Sequence, residues 1–404
     1  MKCGLLGRKL GHSYSPQIHS QFGSYSYDLF ELEPEKLGEF LRNADFSGLN
    51  VTMPYKKAVI PFLDTLSAQA QKLGAVNTIV KRDNKLIGHN TDYFGFCSMV
   101  QKSGFSPIGK KCLVLGSGGA SNTACVALEE LGAEVKVISR SGESNYDNLH
   151  LHSDAAIIVN ATPVGMYPNC GVSPVDLTQF NKLEGVLDLV YNPARTQLLL
   201  DAEKLQIVAM NGLWMLVAQA KQAAELFTDS VIRDERIEAV YQILHKQMEN
   251  IILIGMPGCG KSTVGKQVTA LCGKQFVDAD GQIEKVAGKS IPAIFKDDGE
   301  EAFRALETQV LAELGKRSGL LIATGGGCVT QERNLPLLRQ NGRIFYLKRD
   351  IEKLPTAGRP ISQAKPLEEL YRQRKARYEA FADRIIDNNG AVEAAAAVIA
   401  GEYL

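Results

Sequence analysis

The chain has 404 residues, 45% hydrophobic and 22% charged, an ordinary globular composition with length enough for two or three cores. Its 45 Lys and Arg balance 45 Asp and Glu, so no net field draws it to nucleic acid or to an anionic membrane, and anionic ligands must be caught by local groups. The start at Met1–Gly7 has no signal-peptide pattern, no apolar run approaches membrane-spanning length, and the eight cysteines include no C-x-x-C pair, which together predict a cytoplasmic chain.

Residues 1–103 alternate short apolar runs at 4–6, 47–53 and 77–81 with helical patterns around 16–23, 34–44 and 58–72, which predicts an α/β domain. The segment 104–248 opens with a strand at 112–115, a glycine turn at 116–119, a helix to about residue 131 and a strand at 134–139, one βαβ unit. Strands at 156–160, 185–189 and 206–209 extend that sheet. A helix at 213–226 is expected to fold back on the first segment. An amphipathic helix at 231–248 then collects Val231, Ile232, Val240, Ile243, Leu244 and Met248 near one face. After it, a strand at 251–254 opens a third α/β segment, 250–404, across a connection too short for free swinging.

That third segment begins with the strongest motif in the chain. Gly255-Met256-Pro257-Gly258-Cys259-Gly260-Lys261-Ser262 matches G-x-x-x-x-G-K-S between a strand and a helical pattern. Gly258, Cys259, Gly260, Lys261, Ser262 and Thr263 are therefore expected to hold ATP. Backbone amides wrap the β-phosphate, Lys261 pairs with the β- and γ-phosphates, and Ser262 holds Mg²⁺.

Over residues 250–404 the sequence resembles shikimate kinase. The resemblance rests on Phe276-Val277-Asp278-Ala279-Asp280, Gly288-x-Ser290-Ile291, Gly299-Glu300 with Phe303-Arg304 and Glu307, and Thr324-Gly325-Gly326-Gly327. It implies that Asp278 joins Ser262 in the metal shell and that Asp280 binds the substrate hydroxyls and acts with Lys261 in catalysis. Arg304 and Arg374 take the substrate carboxylate, and Gly326 adds a backbone contact. The chemistry agrees: a small anionic polyol needs fixed cations, and each charge-assisted hydrogen bond contributes roughly 1.5–3 kcal/mol. One departure stands out. Pro355 occupies the place where such kinases carry a lid arginine, which leaves Arg359 as the nearby candidate for the transferring phosphate.

Gly116-Ser117-Gly118-Gly119-Ala120-Ser121 resembles a dinucleotide-binding turn, with Ser121 in place of the last glycine of G-x-G-x-x-G. The next strand ends at Ser139-Arg140-Ser141, where an NAD-selective fold carries an acid for the ribose, so a 2′-phosphate and NADP(H) are preferred. Residues 1–246 resemble shikimate dehydrogenase throughout. The blocks are Gly11-His12-Ser13-Tyr14-Ser15-Pro16-x-x-His19, Asn50-Val51-Thr52-Met53-Pro54-Tyr55-Lys56, Gly74-Ala75-Val76-Asn77-Thr78 and Gly88-His89-Asn90-Thr91-Asp92, followed by Asn160-Ala161-Thr162-Pro163-x-Gly165-Met166, Asp188-x-x-Tyr191-Asn192-Pro193 and Asn211-Gly212-x-x-Met215-Leu216-x-x-Gln219. This resemblance implies a catalytic pair, Lys56 and Asp92, with Ser13, Ser15, Thr52, Asn77, Tyr191 and Gln219 around the substrate. It also implies cofactor contacts from Gly116, Gly118, Gly119, Ala120, Ser139, Arg140 and Gly212.

The implied architecture is an α/β substrate domain and a Rossmann NADP-binding domain, followed by a P-loop domain like the nucleoside monophosphate kinases. The two resemblances support each other, because reduction of 3-dehydroshikimate makes the shikimate that ATP then phosphorylates, in aromatic amino acid biosynthesis. Small molecules are the expected partners, with no nucleic acid or membrane, and the chain is expected to be a monomer or homodimer. Two rivals stay open. In one the first enzyme prefers quinate, against which Arg140 and the linked kinase argue; in the other a segment binds its ligand without turnover, a reading that Pro355 keeps alive for the kinase.

Overall fold

The computed structural model describes residues 1–11, 13–354 and 367–404; Pro355 and Arg359 lie outside the described residues. The chain forms two compact units, one of residues 1–164, 173–191 and 201–243, the other of residues 165–172, 192–200 and 244–404.

The first unit contains two sheets. Strands β1 (Lys2–Gly7), β2 (Ser26–Glu31), β3 (Gly48–Val51), β4 (Thr65–Leu66), β5 (Thr78–Arg82) and β6 (Lys85–His89) lie in the order β2-β1-β3-β5-β6-β4. β2-β1-β3 is parallel, and β5 and β6 are antiparallel to their neighbours β3 and β5. The β5–β6 turn is Asp83-Asn84, both with positive φ (49° and 60°), the backbone that a two-residue hairpin turn requires. The expected helix at 58–72 does not form as one piece. A short helix Tyr55–Ala58, a 3₁₀ turn Ile60–Phe62, β4 and a helix Ala68–Leu73 take its place. Pro61 has no N–H for a helix, and Asp64 is claimed by β6: its amide donates to Leu86 O (2.9 Å) and its carboxylate accepts from Leu86 N–H (2.7 Å).

The second sheet, of β7 (Lys111–Leu115), β8 (Glu134–Ile138), β9 (Ile157–Asn160), β10 (Gly185–Asp188) and β11 (Val208–Asn211), is parallel throughout, in the order β11-β10-β9-β7-β8. Strand order reverses beside β7, so a crevice opens at its carboxyl end, where ligands bind in such sheets. β11 starts two residues later than expected, because Gln206 takes a left-handed turn (φ 59°). The helix Leu213–Thr228 does return to the first sheet. A Cβ on Gly48 would lie 2.1 Å from the Phe227 ring, and one on Gly95 2.7 Å from Met215 O, so glycines permit that close approach.

The last helix of this region is Glu235–Met248, shorter than expected. Val231 lies before it and is 93% exposed, and Ile243 is also exposed; the buried face is Ile237, Val240, Leu244 and Met248. The preceding helix ends at Asp229 (φ 50°), and the Ile232 amide is tied back to Glu225 Oε1 at 2.7 Å, which keeps residues 230–232 out of the helix.

In the second unit β12 (Asn250–Ile254), β13 (Gln275–Asp278), β14 (Leu320–Ala323), β15 (Gly342–Lys348) and β16 (Arg384–Asp387) form a parallel sheet ordered β13-β14-β12-β15-β16. Every residue of β12 is buried, as expected of a central strand covered on both faces. The order of this sheet also reverses beside its first strand, and the glycine turn that follows β12 emerges there. Among the described residues no helix is long and apolar enough to cross a membrane.

Candidate active sites

At the first sheet a cavity of about 360 Å³ is lined by Ser13, Ser15, Thr52, Lys56, Asn77, Asp92, Tyr191 and Gln219, every residue the sequence placed around that substrate. Sheet register accounts for much of this. Thr52 follows β3, held by its amide to Leu6 O (2.9 Å), and Asn77 precedes β5, its carbonyl accepting from Val51 N–H at 2.8 Å. Lys56 sits one turn beyond Thr52, and Asp92 is the first residue of the helix Asp92–Ser103, where the helix N-terminus favours a carboxylate. Lys56 Nζ donates to Asp92 Oδ2 at 2.5 Å; Lys56 is half-buried and Asp92 buried.

Around that pair the polar atoms are ordered by one another. Asn77 is buried; its Oδ1 accepts from Thr91 N–H (2.7 Å), and its Nδ2 donates to Thr91 Oγ1 (3.0 Å) and Gln219 Oε1 (3.2 Å). Three further polar lining residues, Lys9, His19 and Asn50, were given no role from the sequence, although His19 and Asn50 stand inside its motif blocks. Asn50 Oδ1 accepts from Tyr27 OH (2.7 Å) while its Nδ2 donates to Thr78 Oγ1 (3.1 Å), which fixes the amide orientation. His19 stacks on Tyr27 at 4.1 Å, and burial pushes its pKa down to about 3, so the ring is neutral at physiological pH.

The dinucleotide turn lies between β7 and the helix Gly119–Glu130. Gly116 has φ 111°, and Gly118 precedes the helix with no side-chain cap, so the first helical amides are free for a ligand. A Cβ on Gly118 or Gly119 would meet nothing within 4 Å, and both residues, with Ala120, are exposed. Ser121, which breaks the glycine pattern, is buried and donates from Oγ to Gly116 O at 2.6 Å, closing the turn that the motif glycine would leave to packing. Ser139 and Arg140 follow β8, whose Ile138 carbonyl accepts from Gly116 N–H (2.8 Å), so they flank the turn; Arg140 is exposed. Gly212 follows β11, and a Cβ there would come within 2.2 Å of Leu189 O.

The second unit contains a cavity of about 800 Å³ whose lining includes Gly258, Gly260, Lys261, Ser262, Thr263, Asp278, Asp280, Arg304, Gly326 and Arg374. Cys259 instead lies buried beneath the turn, and its carbonyl accepts from Asn388 Nδ2 at 2.5 Å. Lys261 Nζ donates to Gly255 O (2.9 Å) and Met256 O (3.1 Å), the rim of its own turn. Ser262 Oγ donates to Asp278 Oδ2 at 2.8 Å, and Asp278 Oδ1 caps the next helix by accepting from Asp280 N–H at 3.1 Å.

Asp280 Oδ1 is buried with no partner, and burial raises the carboxyl's pKa above the ordinary range against the pull of Lys261. Arg304 is held by buried Glu307 (2.7 Å) and by Glu300 (3.2 Å), and its Nε is unpartnered. Arg374 Nη1 and the Tyr378 hydroxyl both donate to Gly326 O. Glu307 is a lining residue with no role assigned from the sequence. Its Oε1, like Asp280 Oδ1, would lie 2.8 Å from a Cβ on Gly325, so only glycine fits there.

Comparison with known proteins bears on the family to which each part of the chain belongs. Residues 5–79 match the family model of the shikimate dehydrogenase substrate binding domain, and residues 257–402 match that of shikimate kinase. Shikimate dehydrogenase (NADP(+)) of Clostridium beijerinckii is 33% identical over 268 residues, 61% of this chain and 98% of that one. The crystal structure of a chorismate mutase/shikimate 5-dehydrogenase fusion protein from Clostridium acetobutylicum is similar at 37% identity and a TM-score of 0.58, covering 61% of this chain and 97% of that one. That of shikimate 5-dehydrogenase from Thermus thermophilus, in complex with NADP(H) and shikimate, is similar at 31% identity and a TM-score of 0.54, covering 60% and 98%. By the extent of these matches and the residues gathered in its two cavities, the chain belongs to the shikimate dehydrogenase family and carries a shikimate kinase domain in the same polypeptide.

Proposed function

We propose that the chain runs two consecutive steps in the cytoplasm, as monomer or homodimer: NADPH-dependent reduction of 3-dehydroshikimate to shikimate, then ATP-dependent phosphorylation of shikimate at its 3-hydroxyl. The functional domains are residues 1–103 for the first substrate, with 213–248 packing back, 104–248 for NADP(H) and 250–404 for the kinase. The observation that carries this reading is that each unit has a polar cavity of its own, the two suited to the same anionic polyol.

In the first site the hydroxyl and amide groups of Ser13, Ser15, Thr52, Asn77, Tyr191 and Gln219 orient the substrate. Bound NADPH supplies the hydride for the carbonyl carbon. The open, uncapped turn at Gly118 and Gly119 fits its pyrophosphate, and exposed Arg140 fits a 2′-phosphate. Lys56 Nζ gives a proton to the developing alkoxide oxygen, and Asp92 holds the ammonium in place.

In the kinase site Lys261 exchanges the turn carbonyls for the ATP phosphates, and Arg304 and Arg374 pair with the substrate carboxylate. Asp280, with an oxygen free to accept, takes the proton of the attacking hydroxyl; the burial that raises its pKa makes it a better base. Ser262 Oγ and Asp278 offer only oxygen donors, 2.8 Å apart, which suits Mg²⁺, a hard cation that keeps several waters. A coupled assay tests the whole reading. The purified chain given 3-dehydroshikimate, NADPH and Mg·ATP should make shikimate 3-phosphate; shikimate accumulating without phosphate would defeat the kinase half, and no oxidation of NADPH the dehydrogenase half.

A further inference from the structure

Beside the phosphate-binding turn lies a cation that neither motif nor resemblance assigned. Gly260 is the residue from which the helix Lys261–Cys272 departs, with φ 97°. On its flank a Cβ would lie 3.0 Å from Asn388 Nδ2 and 3.9 Å from Arg349 Nη1. Arg349 follows β15, and its place is fixed by the ends of two strands stitched together. Asn388 N–H donates to Lys348 O at 2.8 Å, Asp350 N–H to Asn389 Oδ1 at 2.8 Å, and Asn389 Nδ2 to Asp350 Oδ1 at 3.1 Å. Asn388 in turn holds the Cys259 carbonyl of the turn itself.

Arg349 makes no ion pair among the described residues, and its Nε is buried without a hydrogen-bond partner. The adjacent acid Asp350 is engaged with Asn389 and, at 3.6 Å, with Lys353. The guanidinium has no counter-charge among the described residues, and an anionic oxygen beside Gly260 would give its Nη1, the atom on that flank, a charge-assisted hydrogen bond.

We propose that Arg349 is a nucleotide-contacting residue, its guanidinium pairing with the phosphate chain of ATP along the Gly260 flank of the turn. This rests on the reading of the glycine turn as the ATP site. Because the contact is to phosphate, a lysine can keep part of it and adenosine cannot use it.

The test uses the full chain with Arg349→Ala, Arg349→Lys and, in parallel, Lys261→Ala. Binding of Mg·ATP is measured by calorimetry, adenosine serves as a competitor without phosphates, and KM for shikimate is measured in the kinase assay. Arg349→Ala should raise Kd for ATP about ten- to a hundredfold, the range of one charge-assisted hydrogen bond, with adenosine binding and the shikimate KM within about twofold of the parent. Arg349→Lys should recover part of the loss. An ATP Kd within about twofold of the parent in the Ala variant overturns the proposal. So do equal losses for adenosine and ATP, which would mean a contact to the base, or a loss that Lys does not relieve. Should Lys261→Ala leave ATP binding intact, it is the reading of the turn that fails.

Discussion

Lys56 Nζ and Asp92 Oδ2 lie 2.5 Å apart although 36 residues separate them, one on a four-residue helix after β3, the other opening a twelve-residue helix after β6. Their pairing is a consequence of sheet order, since β3, β5 and β6 are consecutive neighbours and deliver both carboxyl-terminal connections to the same cavity. Lys56→Ala should therefore lower kcat of the NADPH-dependent reduction by about 10²–10⁴, the range for a positioned proton donor, and leave ATP-dependent phosphorylation of shikimate near the parent rate. Loss of both activities would point to folding instead.

Ser121 should resist replacement by the glycine that the motif prefers. Ser121→Ala removes the buried bond to Gly116 O and should destabilise the dehydrogenase by about 1 kcal/mol. Ser121→Gly adds the cost of glycine within a helix, about 0.5–1 kcal/mol more. Melting curves of the three proteins, with KM for NADPH, check the order; a glycine variant as stable as the parent would contradict it.

Arg140 sets the choice of nicotinamide cofactor if it meets the 2′-phosphate. Arg140→Ala should raise KM for NADPH about tenfold or more, one charge-assisted contact, and leave KM for NADH nearly unchanged. Equal losses for both cofactors would give Arg140 another role.

If Asp280 is the base of the kinase site, it trades stability for chemistry. Its pKa is raised in the folded chain, chiefly by burial, so its contribution to stability is full below the ordinary carboxylate value and is lost as pH rises through the folded pKa. Asp280→Asn cannot ionise. It should raise the melting temperature of the kinase unit at about pH 7, with the gain shrinking as pH falls towards that ordinary value, while kinase turnover drops about 10²–10⁴-fold. A melting difference that does not change with pH would remove the titration argument.

Among the described residues each cavity is lined by one unit alone, so the intermediate is predicted to pass as free shikimate. A mixture of Lys56→Ala and Lys261→Ala chains, each with one live site, should reach nearly the parent's steady-state flux from 3-dehydroshikimate to shikimate 3-phosphate at equal active-site concentration. Diffusion over short distances is fast beside turnover of about 1–10³ per second. A much longer lag in the mixture would favour channelling.

By itself the sequence determined the features written in neighbouring residues. The strand, glycine turn and helix at 250–272 and at 111–130 could be read directly, because a turn that must present bare amides to a phosphate leaves little choice of residue type. The residues that the resemblance placed around the first substrate, and most of those expected in the kinase site, likewise line the two cavities. What only the tertiary structure decided depends on partners distant in sequence. Asp64 is drawn out of a helical pattern by Leu86, Val231 is left in solvent because Glu225 takes the Ile232 amide, and Ser121 turns a missing glycine into a hydrogen bond. Asn50, His19 and Glu307 become site residues only once β1, β3 and the helix Gly299–Lys316 are placed, and Arg349 only when the end of β15 comes beside Gly260. Periodicity and turn chemistry act over a few residues, whereas register and burial act between strands; a polar side chain has no role to read until its neighbours across the sheet are known.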